Sequence, residues 1–271
     1  MTMPFQGAGF ALSAEGLSEV ASNLGVHAPE IWAILGVETK GRGYLPDRRP
    51  EILYERHIFH RLTGGRFDDG DISDRSPGGY GPTGPHQYER LAAAMEKGPG
   101  ADVRSAALRG TSWGLGQIMG ENFAAAGFQN VEDMVAAMSQ SEDAQLAAMG
   151  SFLVATKLRA SLQAHDWTTF ARRYNGPNFV INRYDVRLNA EFQKFSVGVL
   201  PDLHVRAAQL YLTYLGFHPG PVDGVAGSHT LSALTQFQDR NGLEHTNNVD
   251  DDTVAQLREA LAPAAEPAIA T

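Results

Sequence analysis

Short runs of apolar residues at helical spacing, each cut off by glycine, proline or asparagine, fill the chain from Ser13 to Ala190 and leave little room for sheet. Residues 28–39 show the pattern most fully: Ile31, Ile34, Leu35 and Glu38 fall at i, i+3, i+4 and i+7, and Pro29 suits a first helical turn. Further helices are predicted over 88–96, 122–126, 131–138, 142–160 and 167–174. The best strand signal, residues 52–54, is explained almost as well by a helix. Between these runs the Gly/Asp/Pro-rich stretch 64–85 predicts a long loop, a kind of segment that often carries function. Elements this short bury their apolar stripes only against one another, which predicts a mainly α domain.

Around residues 199–203 the pattern restarts. Val205, Gln209, Leu212 and Leu215 mark one helix, ended by Gly216. Leu231, Leu234, Phe237 and Gln238 mark a second, after a turn-rich segment at 219–227; Val254, Leu257 and Leu261 mark a third. An Ala/Pro-rich tail follows Ala262. The expected organisation is a large catalytic domain over 1–197, a three-helix module over 198–264 and a disordered tail over 265–271. At about 60 residues the module is small enough to be only marginally stable alone.

The chain carries a formal charge of −9. Nine acids and three bases lie from Val199 onward, a net of −6, leaving −3 for the rest. No basic stripe is present, which argues against a nucleic-acid partner and against long-range attraction to an anionic surface. Binding to such a surface has to come from shape and hydrogen bonds. Without cysteine there is no disulfide framework or thiolate metal site, and the redox compartment stays open. Residues 1–12 lack both the basic start and the long apolar run of a cleaved leader, and no stretch is long and apolar enough for stable membrane insertion. A monomer is the default expectation.

Glu38 is the most informative residue. A carboxyl on an apolar helical face, just before the break Gly41-Arg42-Gly43, is desolvated and sits at the end of the helix dipole that disfavours an anion. Both effects raise its pKa, as glycoside cleavage requires of a group that donates a proton near neutral pH. The plainer alternative is that Glu38 turns to solvent or pairs with Lys40 or Arg42. Two other segments bear on the choice. Ser112-Trp113-Gly114-Leu115-Gly116-Gln117-Ile118-Met119-Gly120 combines small residues that permit close backbone approach with one amide, Gln117, able to bind a sugar. Tyr174-Asn175-Gly176-Pro177 ends a helix with an aromatic, an amide and a turn.

Glu, then Gly-x-Gln-Ile-Met, then Tyr-Asn-Gly resembles the lysozyme-like superfamily, and more closely the N-acetylmuramidase domains of phage endolysins. The resemblance also rests on Val37-Glu38-Thr39-Lys40-Gly41-Arg42-Gly43, on Ile52 to Phe59, on Gly78-Gly79-Tyr80-Gly81 and on Ala171 to Pro177, and it spans residues 26–190. It implies a lysozyme-like fold, Glu38 as general acid, and sugar contacts from Gln117, Tyr174, Asn175 and Ser112. Trp113 is expected beside the cleft because of its neighbours, whereas Trp32 and Trp167 read as core.

Glu55 is the leading second carboxylate. If its segment is helical it shares a face with Ile52, Phe59 and Leu62, and it serves either as base or electrostatic stabiliser, or as a buried partner of Arg56 or another cation. Asp47, Glu51, Asp68 and Asp69 are weaker candidates. Without a second carboxylate, attack by the substrate's own C6 hydroxyl would make the enzyme a lytic transglycosylase. The pair His57 and His60 invites a zinc peptidase or amidase reading, but its spacing falls short of H-E-x-x-H and no third ligand has recognisable spacing. No metal or cofactor is expected.

The C-terminal segments Val205 to Gln209, Leu215-Gly216-Phe217, Val222-Asp223-Gly224, Gly227, Thr230, Phe237-Gln238 and Gly242-Leu243 resemble the three-helix peptidoglycan-binding domain of wall hydrolases. Asp223-Gly224 suits a tight turn, Thr230 a helix cap and Phe237 a small core. Ala226 replaces the aromatic usual before the second glycine, and Asn247-Asn248 replaces an Asp-Gly turn. A spacer is the alternative. Together the resemblances imply an endolysin that cleaves the MurNAc–GlcNAc bond of bacterial peptidoglycan after holin-type release from a host cytoplasm. A non-catalytic wall-binding protein is the remaining alternative.

Overall fold

The computed structural model describes residues 3–39, 41–246 and 248–261. They divide into two compact units, Met1–Leu200 and Pro201–Thr271. The expected tail at 265–271 and Asn247 of the Asn-Asn turn lie outside the described residues. Among the described residues, no helix is long and apolar enough to cross a membrane.

The first unit is built from α1 (Ala14–Leu24), α2 (Ala28–Glu38), α3 (Arg56–Leu62), α4 (Pro85–Met95), α5 (Ala101–Arg109), α6 (Val131–Met138), α7 (Glu142–Ala155), α8 (Arg159–Gln163), α9 (Trp167–Tyr174) and α10 (Tyr184–Val197). α2 starts where Pro29 fits its first turn and the Glu30 carboxylate accepts from the His27 amide at 3.1 Å. Ile31, Trp32, Ala33, Ile34 and Leu35 are all buried, so α2 is covered on nearly every side, as expected of a central helix. α10 lies along α2, and α1 packs on α7.

A small antiparallel sheet abuts these helices. β1 (Ile52–Tyr54) pairs with β2 (Thr111–Trp113), setting Ile52 opposite Trp113 and Tyr54 opposite Thr111; β2 turns back into β3 (Ile118–Met119). Residues 52–54 are therefore strand, and the helical face proposed for Ile52, Glu55 and Phe59 does not exist. The long-range partner at 111–113 decides this, and Glu55 becomes the N-cap of α3. Residues 63–84 form the expected loop between α3 and α4.

Two other helix predictions are corrected. The helix expected over 122–126 is a 3-10 turn, Gly120–Asn122, followed by turns, because the span between Gly120 and Gly127 is too short to propagate a helix. The helix expected over 142–160 breaks into α7 and α8. The Thr156 hydroxyl bonds the Phe152 carbonyl at 2.6 Å, and Lys157 takes a left-handed φ of 58°.

Buried polar side chains tie the segment after α2 to the β2–β3 hairpin. Glu142 and Gln145, both fully buried on α7, reach Gly43 and Leu115. Glu142 accepts from the amides of Gly43 and Leu12, each at 2.9 Å. Gln145 accepts from the Leu115 amide at 2.9 Å and donates to the carbonyls of Met138 and Gly43.

In the second unit, α11 (Leu203–Tyr214), α12 (Ser228–Asn241) and α13 (Asp251–Ala260) enclose Leu234, Phe237 and Leu257. Gln209 is the polar hub. Its carbonyl accepts from the amides of Asp223 and Gly224, and its amino group donates to Asp223, Val225 and Thr230. Thr230 is not the cap of α12: that position is Gly227, and the buried Thr230 hydroxyl donates to the Pro219 carbonyl at 2.9 Å.

Candidate active site

α2 delivers Glu38 at its last residue, and burial raises its pKa from 4.5 to about 7. Two neighbours work against that rise: the Asn175 amide, donating to Oε1 at 2.9 Å, and the positive charge of Arg187. Asn175 caps α9, whose last residue, Tyr174, donates its hydroxyl to the Gly116 carbonyl in the hairpin turn at 2.6 Å. Tyr174 is itself held by stacking on Phe170 at 5.3 Å and by the edge of Phe152 at 5.8 Å. With Oε1 taken by Asn175 and no partner for Oε2 among the described residues, Oε2 is the oxygen free to carry a transferable proton. The plainer pairing with Arg42 is excluded because Arg42 pairs with Glu51; Lys40 lies outside the described residues.

Glu55, at the end of β1, is also raised to about 7. Burial is the main cause, opposed by hydrogen bonding from the Tyr80 hydroxyl and by the charge of Arg90. The long loop is fixed at this point: the Tyr80 carbonyl accepts from both the fully buried Gln87 and the buried Arg90 at 2.7 Å. His57 Nδ1 lies 3.2 Å from Glu55 Oε2, but neither atom makes a well-aligned hydrogen bond. Burial and then the Arg61 charge lower the His57 pKa.

Tyr184, the first residue of α10, connects the two acids. Burial raises its pKa first, then the negative field of Glu38, and Glu55 adds to it. The Tyr80 hydroxyl in turn feels both Glu55 and Tyr184. Tyr184 therefore lies within electrostatic reach of both Glu38 and Glu55, and Tyr80 within reach of Glu55 and Tyr184.

Residues 27–196 match the protein family described as N-acetylmuramidase. The chain belongs to that family. Residues 202–257 match a second family, described as "Putative peptidoglycan binding domain". The muramidase-family chain is also similar to a solved structure, the crystal structure of Burkholderia AP3 phage endolysin, at 37% identity and a TM-score of 0.60, covering 72% of each chain. A curated protein from Nostoc punctiforme, "Putative OxPP cycle protein OpcA", is 29% identical over 97 residues. That match takes in 30% of this chain and 21% of the other, so the chain spans about a fifth of that relative's length.

Within the muramidase domain, Glu38, Tyr174 and Asn175 come together, with Asn175 bonded to Glu38 Oε1. Glu55 reaches the same site through Tyr184. The hairpin residues do not behave as expected. Trp113 is fully buried, donates its indole N–H to the Leu108 carbonyl at 3.1 Å and packs against Phe5 and Tyr88; it is core, not cleft wall. Ser112 is buried too, and its hydroxyl donates to Gln117 at 2.9 Å. The Gln117 amide is taken up inside the turn, accepting from Ser112 and donating to the carbonyls of Gly114 and Glu51. In the structure these two side chains bond within the hairpin and hold its turn. Such a role is invisible in a motif, where a buried amide and an exposed one read alike.

Arg56 does not pair with Glu55; it donates to the Gly70 carbonyl and lies 3.7 Å from Asp74. The other acids have structural partners or face solvent: Asp47 pairs with Arg49, Glu51 with Arg42 and Asp69 with Lys97, while Asp68 is exposed. His57 and His60 diverge, toward Glu55 and the Ser73 hydroxyl respectively. No group of three His, Cys, Asp or Glu among the described residues could hold a metal ion. The site residues that sequence reasoning missed are Tyr80, Arg90, Tyr184 and Arg187. Tyr80 stood inside a quoted glycine motif; the other three carry no local signal.

Proposed function

We propose that the chain is an endolysin that hydrolyses the β-1,4 bond between MurNAc and GlcNAc of bacterial peptidoglycan, with its C-terminal module binding the wall. The observation that carries this reading is a buried carboxyl at the end of α2, Glu38, held through Oε1 by Asn175 and raised to about 7, with a second raised carboxyl, Glu55, within electrostatic reach of the same Tyr184. Protonated Glu38 donates from Oε2 to the glycosidic oxygen as the bond breaks. Ionised Glu55, favoured by Tyr80 and Arg90, stabilises the oxocarbenium-like transition state or activates water. With both groups titrating near neutrality, the state with one proton between them is populated where a general acid works best. The second carboxylate favours hydrolysis over attack by the substrate's C6 hydroxyl. Tyr174 and Asn175 serve this reading by fixing the acid, and Ser112 and Gln117 by fixing the hairpin beside it. In the lysis cycle the protein is made in the host cytoplasm and reaches the wall after a holin-type lesion.

The test is digestion of purified peptidoglycan by wild type and Glu38→Gln, with borohydride-reduced muropeptides read by mass spectrometry. Reducible MurNAc ends that vanish in the variant are expected. Anhydro-MurNAc ends would make the reaction transglycosylation, and a fully active variant would remove Glu38 from the mechanism.

A further inference from the structure

Arg187 on α10 is not accounted for by the proton transfer itself, yet it reaches the helix that carries the acid. Its Nη2 donates to the Val37 carbonyl at 2.9 Å, one of the last-turn carbonyls that a helix leaves without an internal partner. The guanidinium lies 5.3 Å over the Tyr184 ring, whose hydroxyl feels the charge of both Glu38 and Glu55. A cation at a helix C-terminus complements the dipole there, and this one comes from a different helix. We propose, resting on the reading of Glu38 as the acid, that Arg187 is a positioning residue: it pins the last turn of α2 and holds a fixed positive charge beside Glu38 that sets the alkaline limit of activity.

Among the described residues, the charged and titratable groups around Glu38 are few, and the raised carboxyl of Glu55 is the one that acts on it only through the shared neighbour Tyr184. From α9 Glu38 meets the neutral Asn175 amide and the Tyr174 phenol, and from α10 it meets Tyr184 and Arg187. Glu191, further along α10, faces α2 at Gly36 but is paired with Lys194 at 3.0 Å. Among the described residues, Arg187 is thus the cation whose field opposes the effect of burial on Glu38. Without it, Glu38 holds its proton to higher pH and becomes a weaker acid.

The experiment is a charge series at one exposed helical position: Arg187→Lys, Arg187→Gln and Arg187→Glu, each checked for folding by circular dichroism. Two quantities are read, the Glu38 carboxyl titration by carbon-13 NMR, assigned with Glu38→Gln, and the alkaline limb of the pH–rate profile. Lys is expected to titrate near wild type, Gln to move both quantities up by roughly half to one pH unit, and Glu to move them further. A merely structural role lowers the rate without ordering the titration by charge. A Glu38 titration that stays at the wild-type position across the folded variants would overturn the proposal. Failure of the muramidase reading would show differently, as a Glu38 titration that follows the charge series while the pH–rate profile or the products ignore it.

Discussion

Glu38 and Glu55 link stability and activity to pH with definite signs. Each has a folded pKa of about 7 against 4.5 in the ordinary state, so the native protein binds more protons between those values. Stability from this source is fully present below pH 4.5 and is lost as pH rises through about 7. Glu38→Gln removes the ionisable group while keeping Oε1 as acceptor for Asn175. Discounted for partial exposure, it is expected to stabilise the protein at pH 8 by on the order of 1 to 2 kcal/mol, and hardly at pH 4.5. Urea unfolding at the two pH values measures this; equal effects at both would contradict a raised Glu38. The same variant is expected to lose about 1000-fold in rate, the scale of a general acid. Tyr80→Phe acts on the other limb. Loss of its hydroxyl removes a hydrogen bond that favours ionised Glu55, so activity on the acid side should begin at a pH higher by roughly half to one unit. A pH–rate profile whose acid limb does not move would show that Glu55 is neither base nor stabiliser.

At the scale of elements, the site depends on how the turn between β2 and β3 is held against α7. Gly114 has φ of 68°, and a Cβ there would stand 2.6 Å from the buried Gln145 side chain, so Gly114→Ala is strained in backbone and space together. It is expected to cost about 2 to 3 kcal/mol and to lower activity by loosening the Gly116 carbonyl that receives Tyr174. A thermal melt unchanged from wild type would refute that coupling. These elements also show what could be read from sequence. The periodicities of α2, α6 and α9 were plain, because Ile31, Val131 and Phe170 recur with neighbours on a buried stripe. Glu38 was plain for the same reason: a carboxyl in such a stripe stands out. β1 was not, since three residues carry too little period to separate strand from helix, and the partner at 111–113 lies far along the chain. Glu142, Gln145 and Arg187 could not be found, because a buried or bridging polar residue on a helix looks like a solvated one until its partner is placed. Trp113 and Ser112 are buried, and their burial was not legible because their small neighbours admit core atoms as readily as a ligand.

For the whole molecule, the chain divides at Leu200 and Pro201 into two compact units, and under the proposed function they carry different work. All the residues named at the catalytic site lie before it, and Gln209 with its partners Asp223, Gly224 and Thr230 organises the second unit without them. Each unit has its own buried core, centred on α2 in the first and on Leu234, Phe237 and Leu257 in the second. Cleavage of a short soluble glycan needs only the first unit, whereas work on an insoluble wall gains from a second attachment that keeps the enzyme at high effective concentration. A chain ending at Leu200 is therefore expected to degrade soluble glycan fragments at close to the full-length rate, yet to clear intact sacculi more slowly by roughly tenfold or more at dilute enzyme. The gap should narrow as enzyme concentration rises, because tethering substitutes for concentration and not for chemistry. Parallel assays on both substrates over a range of concentrations separate the outcomes. A loss of equal size on fragments and sacculi would mean that the second unit supports the catalytic fold, and no loss on sacculi would mean that it is a spacer rather than a wall anchor.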